Sequence, residues 1–379
     1  MLDNQRHLFD IPKGVTYLNT AAHSPLMKSV VEAGIEGLGR KHHPWDIDLT
    51  QAPAEAERLR GLFAALIGAA ANDVAIVNST SYAVETAARN LKLGKGRKVI
   101  ALQDQFPSNV LSWRNLAAET GGILEFVARP ADDDWTSAVL DALDRSVDIA
   151  ALPPCHWSDG SFVDLVQIGA RCRELGIALV VDGTQVIGAM PFDVKEIQPD
   201  FIACSAYKWL HCPYTLGFLY AAPHRQGGKP LEYHRWNHAG VTASATEIGY
   251  PQDYNEGARR YDMGEVNNLI HLPMAIRALT QLGVWTPDAI QGYLKPLTDA
   301  VADGARARGW SVPVDGRRVG HYTSVKPAEA LQAGLVARLA KESAVFVSER
   351  AGGVRVSPHV FNDLADIERF FEALDKALA

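Results

Sequence analysis

Between about Ala54 and Ala221 the chain alternates short, apolar, β-rich runs with segments whose apolar residues recur at helical spacing. The runs are Asp73 to Val77, Val99 to Leu102, Ile123 to Val127, Ile149 to Leu152, Ala178 to Val181, Phe201 to Cys204 and Leu216 to Ala221. Helical patterns fall at Tyr82 to Leu91, Asn109 to Glu119 and Val163 to Leu175. Strands that read as continuous apolar runs are buried on both faces, and intervening helices are what bury them. The pattern predicts an α/β fold with a mostly parallel central sheet flanked by helices.

The stretch from Ala222 to Asp262, rich in Gly, Pro, His and Tyr, has no clear period and reads as a long connection carrying functional loops. Helical patterns return at Leu269 to Leu282, Pro287 to Arg308 and Ala330 to Lys341. Strands are expected at Ala344 to Val347 and Val354 to Val356, with a last helix from Asp363. In that helix Leu364, Ile367, Phe371, Leu374 and Leu378 share one face, a packing surface. A chain of 379 residues suggests two domains. The expected division is a large domain over residues 17–262 and a small α/β domain over 263–379 joined by residues 1–16.

Composition removes several functions. No unbroken apolar run reaches membrane length, and MLDNQRHLFDIPKG lacks the charged flank and apolar stretch of a secretory signal, so a cytoplasmic protein is expected. The formal charge of -7 is spread without a basic run, which argues against nucleic acid and anionic membranes as partners and for a small molecule. Cys155, Cys172, Cys204 and Cys212 form no CxxC pair and read as reduced thiols. His42, His43, His234 and His238 match no metal spacing, so no metal is expected. Neither GxGxxG nor GxxxxGK[ST] occurs in the α/β region.

Two windows carry the chemistry. In LVVDGTQVIG an apolar strand delivers Asp182 to its carboxyl end, where open α/β sheets bind ligands, and Gln185 follows one turn later. In DFIACSAYKWLHC a second buried strand runs into Ser205, Tyr207 and Lys208. A lysine so close to a buried strand is desolvated, which lowers its pKa and frees an amine for imine formation. Taken singly, Asp182 could cap a helix and Lys208 could lie on the surface with its stem on Trp209.

Together the windows resemble the class V aminotransferase family of fold-type I enzymes dependent on pyridoxal 5'-phosphate (PLP), which includes cysteine desulfurases, isopenicillin N epimerase-like proteins and, more remotely, kynureninases. The resemblance runs from YLNTAAHSP at Tyr17 to RVSPHVFN at Arg355 and is densest between Asn78 and Lys208. It implies that Lys208 binds PLP as a Schiff base and moves the substrate's Cα proton, that Asp182 keeps the pyridine nitrogen protonated, and that Gln185 bonds the phenolic oxygen. Thr80 and Ser81, at a predicted helix N-terminus, would hold the phosphate with Ser205. Tyr207 stands where many desulfurases carry His before the lysine. In QFPSNVLSW, Phe106 takes the ring-stacking place at which desulfurases usually have His; stacking survives that change and a proton-transferring imidazole does not.

The resemblance further implies that His156 and Asp159, in PPCHWSDG, lie near the substrate and the phenolic side of the cofactor. Gly264 and Glu265, in RRYDMGEVNN, would reach across a homodimer interface to the partner's phosphate. Arg355 matches the arginine that takes the substrate carboxylate, a planar fork suited to that task. The desulfurase cysteine is missing: the loop before Arg355 reads SERAGG. The expected activity is therefore an aminotransferase acting on a small amino acid, with lyase, epimerase and, because of the YKWL run, kynureninase-like hydrolase as alternatives. A catalytically silent, PLP-binding regulatory protein is the non-enzyme alternative.

Overall fold

The computed structural model describes residues 2–241 and 250–379. Its center is a seven-stranded sheet. After a short first strand, β1 (Thr16–Tyr17), come two helices, α1 (Lys28–Gly39) and α2 (Gln51–Leu66). The sheet strands follow in chain order as β2 (Val74–Val77), β3 (Lys98–Leu102), β4 (Ile123–Val127), β5 (Val147–Leu152), β6 (Ala178–Asp182), β7 (Phe201–Ser205) and β8 (Gly217–Ala221). They lie in the order β2-β8-β7-β6-β5-β3-β4. β8 runs antiparallel to both neighbors and every other pairing is parallel. The predicted α/β sheet is present, and each apolar run falls within a residue or two of its strand.

Why these runs form this sheet is visible in burial. Every residue of β2, β6, β7 and β8 is buried, and two apolar clusters sandwich the sheet, one containing Ile76, Ile100 and Ile202, the other Val77, Val99 and Ala203. Alternate residues of one strand thus feed opposite cores. The crossover helices α3 (Thr80–Asn90), α4 (Leu111–Thr120), α5 (Trp135–Ala142) and α6 (Leu165–Leu175) cover the faces, and a single turn, α7 (Val194–Ile197), joins β6 to β7. Their ends are set by local chemistry: Asp134 and Asp164 accept backbone N–H bonds at the starts of α5 and α6, while Gly121 and Gly176 adopt φ of 71° at the ends of α4 and α6.

The connection after β8 contains three short 3-10 turns, Pro223–Arg225, Arg235–Asn237 and Gly257–Tyr261; residues 242–249, which belong to the same predicted connection, lie outside the described residues. Its end is tied down by a buried ion pair, Asp262 with Arg60 at 2.5 Å, and the same carboxylate accepts the N–H of Ile76.

α8 (His271–Trp285) packs against α1 and α2, and α9 (Pro287–Arg306) follows directly. The C-terminal part holds β9 (Thr323–Val325), α10 (Leu335–Ser343), β10 (Val345–Phe346), β11 (Ser348–Arg350), β12 (Gly353–Val356) and α11 (Leu364–Leu378). β12 lies between β11 and β9, antiparallel to both, and β10 pairs in parallel with β1 from the start of the chain. The predicted α10 begins five residues late, and the strand expected at Ala344 to Val347 shrinks to the two residues of β10, with β11 beginning just beyond it. On α11, Ile367, Phe370, Phe371 and Leu374 are buried, but Leu364 and Leu378 are exposed, so the apolar stripe is shorter than expected. Among the described residues no helix is long and apolar enough to cross a membrane.

Candidate active site

Because β2, β3, β5, β6 and β7 all point the same way, the segments leaving their carboxyl ends converge. They enclose a cavity of about 550 Å³ whose wall includes Thr80, Phe106, Trp157, Asp182, Gln185 and Lys208. That volume suits a cofactor with a small substrate.

β6 ends on Asp182, which is buried and has no ion-pair partner among the described residues; its carboxylate accepts the Thr184 N–H at 3.1 Å. Burial raises its pKa, against the bonds from Thr184 and the charge of Lys208. Such a buried, unpaired carboxylate at a cavity wall is complementary to a ring cation. Gln185 is held on both sides: its Nε2 donates to Ala21 O at 3.1 Å and its Oε1 accepts from Trp209 Nε1 at 2.9 Å.

Lys208 is 6% exposed. Burial lowers its pKa to about 8, helped by the charge of Arg355 and opposed by Asp182. Its Nζ lies 5.3 Å from the center of the Phe106 ring and 5.6 Å from that of Tyr207. Tyr207, half-buried against the exposed ring of Tyr214, has its hydroxyl pKa pushed up to about 12, by desolvation first and then by Tyr214.

Above β2 and β7 stands a cup of hydroxyls. Thr80 Oγ1 is 2.6 Å from Ser205 Oγ and 3.0 Å from Thr184 Oγ1, which also accepts the Ser205 N–H. The cap of α3 is Ser79, whose hydroxyl accepts the Tyr82 N–H. Thr80 and Ser81 therefore sit inside the first turn, facing the cavity from a helix N-terminus. Hydroxyls and free backbone N–H groups at a helix start are the donors a phosphate requires.

Arg355, on β12, is 1% exposed. Its Nη1 donates to Trp157 O at 2.8 Å, while its buried Nε finds no partner. Burial lowers its pKa to about 10. A buried guanidinium without an acid is costly unless an anion joins it.

Five predicted residues do not line this cavity: Arg355, which lies behind the wall on the carbonyl of Trp157, and four others. His156 stacks flat on Trp135 (5.3 Å, 4°), and its ring nitrogens lie 3.0 Å from Gln103 O and 2.8 Å from Ser158 Oγ. Asp159 pairs with Arg129 at 2.7 Å and accepts from Ser161. The cause is the hairpin-like return of the chain, with bridges Cys155 to Phe162 and Ser161 to Arg318, which turns both side chains inward. Gly264 N–H bonds the Glu232 carboxylate, and Glu265 is exposed with φ of 56°; both lie outside the cavity of their own chain. Conversely, Thr184, Trp157 and Tyr214 line the wall and were not foreseen. Thr184 sits between Asp182 and Gln185 in the same motif, the signal that could have found it.

The profile of the family described as Aminotransferase class-V matches residues 16–307. Isopenicillin N epimerase of Streptomyces clavuligerus is 26% identical over 95% of this chain and 94% of its own. A probable cysteine desulfurase of Methanothermobacter thermautotrophicus is 24% identical over 97% and 96%. Among solved structures, a mutant of C-DES with glycine covalently linked to its PLP cofactor superposes with a TM-score of 0.87 at 19% identity, covering 98% of both chains. The apo cysteine desulfurase of Thermococcus onnurineus NA1 gives 0.83 at 22% over 99% and 98%. With the profile spanning most of the sequence and the site assembled as described, the chain belongs to the class-V aminotransferase family, whose cofactor is pyridoxal 5'-phosphate.

Proposed function

We propose that this protein is a PLP-dependent enzyme that transaminates a small α-amino acid. The observation that carries the reading is that Lys208 is the one amine or imidazole in the cavity wall among the described residues, with a pKa lowered to about 8. PLP, when bound, supplies the sink for the electron pair released at the substrate's Cα. Lys208 would hold the cofactor and then carry a proton, on one face, from the substrate's Cα to the cofactor carbon on the other side of the nitrogen that joins them, which is all that transamination requires of a base. Asp182 would keep the ring nitrogen charged, the hydroxyls of Thr80, Ser81 and Ser205 would grip the phosphate, and Arg355 would bind the α-carboxylate. Phe106 would pack on the ring and can move no proton.

Elimination is the second reading. It too needs one base, and it is supported by the lyase and desulfurase names among the relatives. Persulfide transfer has no support, because all four cysteines are buried and none lies in the turn between β11 and β12. We further infer a homodimer, in which Gly264 and the exposed Glu265 serve the partner's site.

A single-turnover test separates these readings. Amino acids are added to the holoenzyme and the bound cofactor is followed by its visible absorbance. Conversion to the pyridoxamine form, reversed by a 2-keto acid, is expected. Return to the starting spectrum with release of a keto acid and a side-chain fragment would mean elimination. No change with any amino acid would overturn the proposal.

A further inference from the structure

The β11–β12 hairpin adds something that Arg355 alone does not explain. Its turn, Ala351–Gly352, has positive φ at both positions (47° and 74°), the two-residue geometry that fixes register in a tight hairpin. In that register Ser348 stands opposite Arg355, and Arg350 opposite Gly353. Directly opposed residues share a face, and so do residues two apart, so Arg350 and Arg355 project from the same side as diagonal neighbors. Trp157, part of the cavity wall, bridges them. Its carbonyl accepts from Arg355 Nη1 at 2.8 Å, and Arg350 Cζ lies 6.0 Å from its ring center.

Among the described residues twenty-two ion pairs are formed, and neither guanidinium has an acidic partner. On the same face, the buried hydroxyls of Ser348 and Ser324, which flank Arg355 on β11 and β9, also lack partners, as does Arg355 Nε. Two like charges on diagonal strand positions destabilize the hairpin unless something negative lies near both. The bound phosphate would lie by the hydroxyl cup over β2 and β7, and one α-carboxylate accounts for one arginine.

We propose that Arg350 forms a second anion subsite, so that the substrate is an amino acid whose side chain ends in a carboxylate, its α-carboxylate on Arg355 and its side-chain carboxylate on Arg350. The electrostatics agree: the positive charge of Arg350 is felt at both Arg355 and Lys208, lowering each. This inference rests on the reading of the cavity as an amino-acid site, and it names the substrate class.

The test compares acids with their isosteric amides. In the wild-type holoenzyme, kcat/KM for L-aspartate or L-glutamate should exceed that for L-asparagine or L-glutamine by about tenfold to a hundredfold, the weight of one charged hydrogen bond. The same ratio should appear in calorimetric Kd values for glutarate against its monoamide, which report binding without turnover. Arg350→Gln should bring both ratios close to one, and Arg350→Lys, which keeps the charge and loses the fork, should retain part of each. A wild-type enzyme indifferent to the charge, or an Arg350→Gln variant that weakens acid and amide equally, would overturn the subsite. If no amino acid perturbs the cofactor, the amino-acid reading fails, while the glutarate titration still reports on the two arginines.

Discussion

Lys208 illustrates how one side chain is tuned by what surrounds it. The amine is protonated in water up to a pKa near 10.5, and burial together with Arg355 brings it to about 8. Only the neutral amine attacks an aldehyde, so the rate at which apoenzyme takes up PLP should rise about tenfold per pH unit below 8 and level off above it. Stopped-flow absorbance on apoprotein would check this; a flat profile between pH 6 and 9 would mean that the amine is not held as described. At this scale the sequence is informative where a motif is contiguous. Asp182, Gln185, Ser205 and Lys208 sit on two strand ends, and the alternation that predicts the strands places them. His156, Asp159 and Trp157 come from one loop, and nothing local says which of three neighbors faces the cavity. That was decided by Trp135 and Arg129, far away in sequence, which hold His156 and Asp159.

At the scale of elements, the strands were legible because burial on both faces leaves a continuous apolar run, whereas α1 and α2 were not. α1 carries Gly34, Gly37 and Gly39 in twelve residues, a poor helix by propensity. Its glycines have a tertiary purpose: a Cβ on Gly37 would collide with Leu269 O, and one on Gly34 would lie 2.8 Å from Met274 Sδ. Close approach of α8 thus dictates the composition of α1, which no local reading could reveal. A similar constraint supports the lysine turn. Gly188, after β6, has φ of 97°, and a Cβ there would lie 2.7 Å from Trp209 O and 2.9 Å from Leu210 Cδ2. Gly188→Ala should therefore destabilize the protein by on the order of 3 kcal/mol and loosen the hold on Lys208. The readouts are the urea midpoint and the fraction of PLP retained on gel filtration; a variant unchanged in both would contradict the packing.

For the whole molecule, the interface between the sheet and the C-terminal part contains three buried histidines. His211 Nδ1 lies 3.2 Å from Pro25 O, which requires a proton there, so His359 Nε2 donates to His211 Nε2 at 3.2 Å. His321 Nε2 donates to Gln185 O at 2.6 Å. All three rings are neutral. Burial lowers His211 and His321 to about 4 and His359 well below the usual 6.5. Since the unfolded chain binds these protons first, the stabilization is complete above pH 6.5 and is lost as the pH falls toward 4, each ring contributing about 1.4 kcal/mol per unit in that window. Urea midpoints at pH 7, 6 and 5 should fall accordingly, and more gently in His321→Gln, which keeps a donor for Gln185 O. Equal slopes would assign the loss to other groups.

The strand pairing that joins β1 to β10 also has a temporal meaning. Thr16 lies beside Val345, Gln5 N–H bonds Val360 O, and Thr16 Oγ1 bonds Asp366 at 2.9 Å, so residues made early find their neighbors more than three hundred positions later. The sheet between them closes through contacts nearer in sequence and can form while that opening segment is still waiting. Contacts of such long range are slow to make, so the two distant stretches of chain are expected to meet over a sheet already formed, closing last in the manner of a buckle.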